Sequence, residues 1–190
     1  MRIIAGEFRG RKILPPETDA TRPITDRVKQ SLFDILTPVI AGAVIYDCFA
    51  GTGSMGLESL SRGARSATFF DMERTAIKRL ISNIESLQVR DRSTVIQGDI
   101  FRLAKQIRPS ERATLIFFDP PYRLCRDKPR ELVALANEFA SRHITADGKL
   151  IFRHDAEDAL ALPPFIVEDS RTYGSMTLEF LRLPVETVTP

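Results

Sequence analysis

The sequence predicts an α/β fold, a mixed, doubly wound sheet of seven strands with an antiparallel hairpin at its C-terminal end. Three observations predict it. From residue 43 onward, short β-branched or aromatic runs alternate with longer stretches of helical spacing, the pattern of successive βαβ units. Five of the short runs are apolar at nearly every position, as strands of a parallel sheet covered on both faces must be. Near the C-terminus, Phe165–Asp169 and Met176–Leu183 leave no room for a helix between them, so they pair as a hairpin through Tyr173-Gly174.

The 190 residues suit one globular unit with a core of its own, and 43% hydrophobic with 27% charged residues exclude a disordered, collagenous or coiled-coil chain. The segment from Ala159 to Val167 is nearly apolar but is interrupted by Pro163 and Pro164, far short of the ~20 residues a membrane helix needs. Met1-Arg2-Ile3-Ile4-Ala5-Gly6 lacks the apolar core of a signal peptide, so the chain reads as a cytoplasmic protein with no membrane contact. Cys48 and Cys125 are too few for a disulfide framework or zinc site; with only His143 and His154 besides, no metal is expected. Cys48 reads as core and Cys125 as a loop cysteine.

In chain order, Arg2 to Leu14 sets short apolar runs around Gly6 and Gly10, the pattern of a small β-ribbon ended by Pro15-Pro16. Residues 1–20 therefore form a basic extension ahead of a globular unit at 21–190. Val28, Leu32, Phe33, Ile35 and Leu36 recur at helical spacing from Thr25, with Asp26 in the first turn and Pro38 beyond the end. The strands are Ala43–Cys48, Ser66–Asp71, Ser93–Gln97, Thr114–Asp119 and Lys149–Arg153, with helices near 54–62, 74–87, 100–107 and 129–142. The formal net charge of +2 does not by itself mark a nucleic-acid binder, but its distribution is uneven. Over residues 1–12, Arg2, Arg9, Arg11 and Lys12 face Glu7 alone.

Asp47-Cys48-Phe49-Ala50-Gly51-Thr52-Gly53-Ser54-Met55-Gly56 leads from the first strand straight into a helix, so its glycines allow a tight turn and close approach to a nucleotide-like cofactor. A dinucleotide fits the same spacing. Asp47 favours a cationic cofactor, because a carboxylate under the loop repels a pyrophosphate and attracts the sulfonium and ammonium of S-adenosylmethionine; the alternative is a helix or turn cap. Asp71, twenty residues past Gly51, can accept hydrogen bonds from a ribose diol, a task Glu73 could share. Asp99 is placed either to meet an adenine amino group or to cap the helix beginning near Ile100. Phe49, Ala50, Gly51, Gly53, Met72 and Ile100 complete the candidate cofactor contacts with these acids.

Leu115-Ile116-Phe117-Phe118 delivers Asp119-Pro120-Pro121-Tyr122 to the carboxyl edge of the sheet. Pro121 has no N–H, which leaves the Pro120 carbonyl without a local donor. A carboxylate and a carbonyl match the two N–H donors of an exocyclic amino group on a base; accepting both favours a pyramidal nitrogen with its lone pair free, while Tyr122 stacks on the ring. Asp119, Pro120 and Tyr122 are therefore the candidate catalytic residues. The bland alternative is a turn cap and a core tyrosine. Just beyond, Arg123, Arg126, Lys128 and Arg130 oppose Asp127, either to hold phosphates around an extruded base or simply as a charged helix entrance.

With these residues in hand, the chain resembles the RsmD-type family of bacterial 16S ribosomal RNA guanine-N2 methyltransferases. The likeness rests on residues 1–12, on Arg22-Pro23-Ile24-Thr25-Asp26-Arg27-Val28, on Asp47 to Gly56 continuing through Leu60-Ser61-Arg62-Gly63-Ala64, and on Asp119 to Tyr122. It implies a Rossmann-like class I methyltransferase fold, S-adenosylmethionine as donor without a metal, and a guanine of 16S rRNA within the small subunit or its assembly intermediate as acceptor, with a monomeric enzyme. It also implies Thr25 near the cofactor, Arg27 near the closed active site, and Arg2, Arg9, Arg11 and Lys12 on RNA phosphate; a solvated edge strand is the alternative for that segment. Two positions depart from the family pattern: Asp71 where glutamate is usual, and Arg153-His154 where an acidic residue is common after the fifth strand. Rival readings are an adenine-N6 methyltransferase on RNA or DNA, a nicotinamide-dependent oxidoreductase, which leaves Asp119 to Tyr122 unexplained, and a non-catalytic RNA-binding module.

Overall fold

A computed structural model describes residues 1–17 and 24–185; Arg22 and Pro23 of the second family segment lie outside the described residues. The chain forms two compact units, Met1–Ile100 and Phe101–Pro190. Among the described residues the first unit holds three strands and the second four.

In the first unit, α1 (Asp26–Ile40) starts at Thr25, whose hydroxyl accepts a hydrogen bond from the Val28 amide at 3.3 Å. Its buried stripe is Val28, Leu32, Phe33, Leu36 and Ile40. Pro38 stands inside the last turn rather than beyond it; so close to the end, its missing N–H removes only one helical bond. Next come β1 (Val44–Cys48), α2 (Ser54–Ser61), β2 (Ser66–Asp71), α3 (Arg74–Leu87) and β3 (Ser93–Gln97). β1 pairs with β2 and β2 with β3, all parallel, as helical crossovers demand. Every residue of β1 is buried, so Cys48 is core.

The N-terminal ribbon is short: an antiparallel bridge joins Arg2 to Lys12, and the amides of Ile3 and Ile13 donate to the carbonyls of Arg11 (2.9 Å) and Met1 (3.1 Å). Gly6 (φ 83°) and Gly10 (φ 82°) turn the chain inside it. The ribbon docks on α2. Ser61 Oγ accepts from the Phe8 amide at 2.9 Å, and a Cβ on Gly6 would lie 1.9 Å from the Ser61 carbonyl. Glu58, wholly buried, accepts the amides of Ile4 (2.8 Å) and Ala5 (3.0 Å) and pairs with Arg62 (2.9 Å) and Lys29 (3.3 Å). Burial lowers the Lys29 pKa, with Glu58 opposing that shift.

In the second unit, α4 (Ile100–Gln106, its first residue in the first unit) leads to β4 (Ala113–Phe118), α5 (Arg123–Asp127), α6 (Pro129–Glu138), a π-helical turn at Phe139–His143, β5 (Ile144–Asp155), β6 (Ile166–Tyr173) and β7 (Met176–Arg182). β4 runs parallel to β5, with Phe118 opposite Phe152, and β7 lies antiparallel to both β5 and β6. Phe118 packs edge-on against Phe139 and Phe152 at 5.9 and 5.7 Å between ring centres. The helix expected near 129–142 is α6 continued by that π-helical turn. Cys125 is not a loop cysteine; it is buried in α5, and burial pushes its thiol up to about 11. No helix among the described residues is long and apolar enough to cross a membrane.

Removing the Glu58 carboxylate strands the buried Lys29 charge and two backbone amides. Glu58→Ala is expected to cost about 3–5 kcal/mol, read as a lower urea midpoint, with Glu58→Gln losing less.

Candidate functional site

In the first unit the end of β1 opens into a loop whose shape is set by hydrogen bonds to strand-end carboxylates. Phe49 adopts the left-handed region (φ 62°), a strained conformation for a residue with a side chain, and Ala50 donates to the Phe70 carbonyl at 2.9 Å. The three glycines have different reasons. A Cβ on Gly56 would meet the Phe69 ring at 2.3 Å and one on Gly53 would meet Leu80 at 2.4 Å, so close packing of α2 demands both. Gly51 (φ 55°) faces open space, and its bare side is where a ligand can approach.

Asp47 is buried beneath this loop and its Oδ2 accepts from the Gly56 amide at 2.8 Å, tying β1 to the first turn of α2. The capping role is therefore realised, while the carboxylate still places negative charge under the loop. Asp71 accepts the Gly51 amide on Oδ2 (2.7 Å) and the Glu73 amide on Oδ1 (2.8 Å). Glu73 caps α3, accepting from the amides of Thr75 (3.1 Å) and Ala76 (2.6 Å); hydrogen bonds from Thr75 and then Ala76 lower its pKa. Met72 between them is 70% exposed, an apolar side chain left uncovered at the end of a strand. Gly98 donates to the Asp71 carbonyl at 2.8 Å, which brings Asp99 and the buried Ile100 to the same strand ends. One hydrogen-bonded cluster thus gathers Gly51, Asp71 and the turn before α4. Thr25 serves as the α1 cap, and α1 reaches this region through Lys29, whose ammonium donates to Ser54 Oγ at 3.4 Å.

The cations of the N-terminal ribbon and Arg27 lie outward. Arg9, Lys12 and Arg27 are exposed, Arg2 pairs with Asp26 at 2.7 Å across the surface, and Arg11 donates to the Ser86 carbonyl.

In the second unit, β4 ends at Phe118 and Asp119 begins the turn. Pro121 and Tyr122 carbonyls accept from Leu124 (2.8 Å) and Cys125 (3.0 Å) and so start α5. No hydrogen bond reaches the Pro120 carbonyl among the described residues, although the carbonyls of Pro121 and Tyr122 beside it are used. Asp119 Oδ1 accepts from Arg153 Nε at 2.5 Å, and the Arg153 guanidinium lies over the Tyr122 ring at 5.7 Å. Burial raises the Asp119 pKa and Arg153 opposes that rise. Of the neighbouring cations, Arg123 is exposed, Arg126 pairs with Asp158 at 2.7 Å, and Lys128 lies over the Phe101 ring at 5.7 Å. Among the described residues no group of three or more His, Cys, Asp or Glu is placed to hold a metal.

Arg153 is the residue that sequence reasoning missed. Its signal was a cation closing an apolar strand, but its meaning depends on register: Phe118 faces Phe152, so the next residues outward are Asp119 and Arg153.

The family model described as Conserved hypothetical protein 95 matches residues 1–182. The chain belongs to this RsmD-type family. Over 123 residues it is 42% identical to the Escherichia coli protein named "Ribosomal RNA small subunit methyltransferase D", a match covering 65% of this chain and 61% of that relative's length. The Bacillus subtilis protein named "Putative rRNA methyltransferase YlbH" is 33% identical over 177 residues, covering 92% of this chain and 94% of its own. Among solved structures, the Escherichia coli protein named "Putative methyltransferase yhhF" superposes with a TM-score of 0.82 at 29% identity, covering 96% of this chain and 97% of that one. The family's fold is the Rossmann-like α/β fold of S-adenosylmethionine-dependent methyltransferases.

The glycines give a direct test within this family framework. Gly56→Ala overpacks Phe69 and is expected to cost about 1–3 kcal/mol, whereas Gly51→Ala meets open space and loses only about 1 kcal/mol from its left-handed backbone; thermal unfolding reads both.

Proposed function

We propose that the protein transfers a methyl group from S-adenosylmethionine to the exocyclic N2 amino group of a guanine in 16S ribosomal RNA, acting as a monomer on the small subunit or its assembly intermediate. The observation that carries this reading is the Asp119 turn: a carboxylate and a proline carbonyl with no competing donor among the described residues, with an aromatic ring three residues after the acid.

The residues of the first unit fit the donor. Gly51 offers a bare backbone, Met72 an uncovered apolar face for a purine, and Asp47 and Asp71 the negative charge that suits a cation and a ribose diol. Phe49, Ala50, Gly53, Asp99, Ile100 and Thr25 are the further contacts of that subsite. When bound, the cofactor supplies an electrophilic methyl group on a sulfonium leaving group. Asp119 accepts one N–H of the acceptor amine and the Pro120 carbonyl accepts the other, which turns the nitrogen lone pair out of the ring plane. Tyr122 fixes the plane of the extruded base. No strong base is needed, because the nitrogen becomes acidic once alkylated, so the turn works by positioning. Arg2, Arg9, Arg11, Lys12, Arg27, Arg123, Arg126 and Lys128 bind RNA phosphates. Support for ribosomal RNA comes from the names carried by the relatives above; guanine N2 rather than adenine N6 follows from the family resemblance.

Two measurements test the reading on small subunits lacking the modification. Asp119→Ala is expected to lose at least about 100-fold in methylation rate while binding S-adenosylhomocysteine as the parent does. Nucleoside analysis of the product by mass is expected to show N2-methylguanosine; N6-methyladenosine, or near-normal turnover by the variant, would reject it.

A further inference from the structure

We propose that Arg153 is a positioning residue for this reaction, fixing Asp119 by Oδ1 and bracing Tyr122 so that Oδ2 is presented to the acceptor amine. The inference rests on the reading of Asp119 given above and deepens it by naming the residue that aims the carboxylate.

The argument begins with register. In a parallel pair, neighbouring residues of adjacent strands project to the same side, so the position after Phe152 supplies the side chain beside Asp119. Arg153 fills it with its side chain 11% exposed, against 18% for Asp119. Among the described residues its guanidinium meets groups from three places in the fold: Asp119 Oδ1 at 2.5 Å after β4, the Tyr122 ring at 5.7 Å before α5, and the Met176 sulfur, 3.9 Å from Nη1, at the start of β7. A planar fork held on three sides cannot swing, so the carboxylate it grips is held too. No hydrogen bond reaches Asp119 Oδ2 among the described residues, and the Pro120 carbonyl next to it in sequence is likewise without a donor. These are the two acceptors that an amino group needs.

Charge points the same way. Among the described residues the charged or titratable groups that act on or with Asp119 are Arg153 from β5, which itself meets the Tyr122 ring, and Cys125 from α5. Cys125, pushed up to about 11 by burial, stays protonated through neutral pH. Arg153 is therefore the cation that opposes the rise burial imposes on the Asp119 pKa, and a protonated Asp119 is a poor acceptor. An arginine holds its charge at every working pH, whereas a histidine there would titrate. Because a buried ion pair adds little net stability over an apolar pair of similar size, alignment and ionisation give this pair its use.

The experiment compares the full-length parent, Arg153→Met, Arg153→Lys and Asp119→Ala by single-turnover methylation of unmodified small subunits at saturating cofactor from acid to neutral pH. S-adenosylhomocysteine affinity and the urea midpoint are measured beside the rates. Arg153→Met is expected to lose about 10- to 100-fold in rate at neutral pH, with subunit KM and S-adenosylhomocysteine affinity nearly unchanged. The sign of the pH effect follows from linkage: activity needs ionised Asp119, removing Arg153 raises its pKa further, and the acid limb of the profile moves to higher pH by about one unit or more. Arg153→Lys restores the parent's acid limb and part of the rate. A purely structural arginine would lower the midpoint and leave the limb in place; that result, or an Arg153→Met rate within threefold of the parent, overturns the proposal. If Arg153→Met does not fold, Arg153→Gln takes its place: an acid limb displaced upward with a reduced rate supports the proposal, and a limb left in place rejects it. If Asp119→Ala keeps its activity, the underlying reading of the turn fails as well, whereas an inactive Asp119→Ala beside an active Arg153→Met sinks only the role of Arg153.

Discussion

The first unit is organised around one buried carboxylate. Glu58 lies in the middle of α2 with no exposed surface, and it satisfies its oxygens from α1, from its own helix one turn on, and from the amides of Ile4 and Ala5. An isolated carboxylate at that depth would cost several kcal/mol, roughly, so each partner is obligatory once the acid is there. The consequence reaches the loop after β1, because α2 is the helix into which that loop opens. Lys29 carries the tie from Glu58 to Ser54, the first residue of α2, and a helix clamped at its middle and start offers the loop a fixed end.

The loop itself is shaped by acids that accept backbone amides. Asp47 takes Gly56, Asp71 takes Gly51 and Glu73, and Glu73 takes Thr75 and Ala76. Each places formal charge on backbone groups that would otherwise need water, and each fixes a turn. Asp119 is built differently. Its hydrogen bond among the described residues comes from an arginine, and burial pushes its pKa up. Acids whose oxygens are used by amides shape the loop, and the acid held by a side chain has an oxygen to spare for an incoming donor.

This difference explains what was legible in the sequence. Periodicity and turn residues carried the strand and helix order, since Val-Ile-Tyr-Asp-Cys and Leu-Ile-Phe-Phe have one physical solution in an α/β sheet. The glycine loop and Asp119-Pro120-Pro121-Tyr122 were legible because their chemistry is local: a missing N–H is a property of proline wherever it stands. Glu58 and Arg153 were not, because their partners come from positions 53 and 34 residues away, and only the fold sets those distances. The N-terminal segment shows the same limit. Its glycines were read as marking a ribbon, yet Gly6 is tightly packed against Ser61, a contact invisible without α2 in place. Pro38 within α1 shows that tertiary packing can carry a helix past a residue that ends it in isolation.

The exposed ion pairs add a last step. Arg2 with Asp26 is short at 2.7 Å, but its side chains are 61% and 47% exposed. Surface pairs of this kind are worth about 0–1 kcal/mol, so their cations exchange partners at almost no cost. A polyanion offers such an arginine a stronger field than one carboxylate and gains the entropy of released counterions in addition. On the proposed reading, this pair parks Arg2 in the free protein and yields it to phosphate when RNA arrives, whereas Asp158, only 10% exposed, holds Arg126 more firmly. Arg153 is the opposite case: 11% exposed and held on three sides, it has no comparable route to solvent and stays with Asp119. Exposure thus separates the cations that meet the polymer from the one that serves the reacting group.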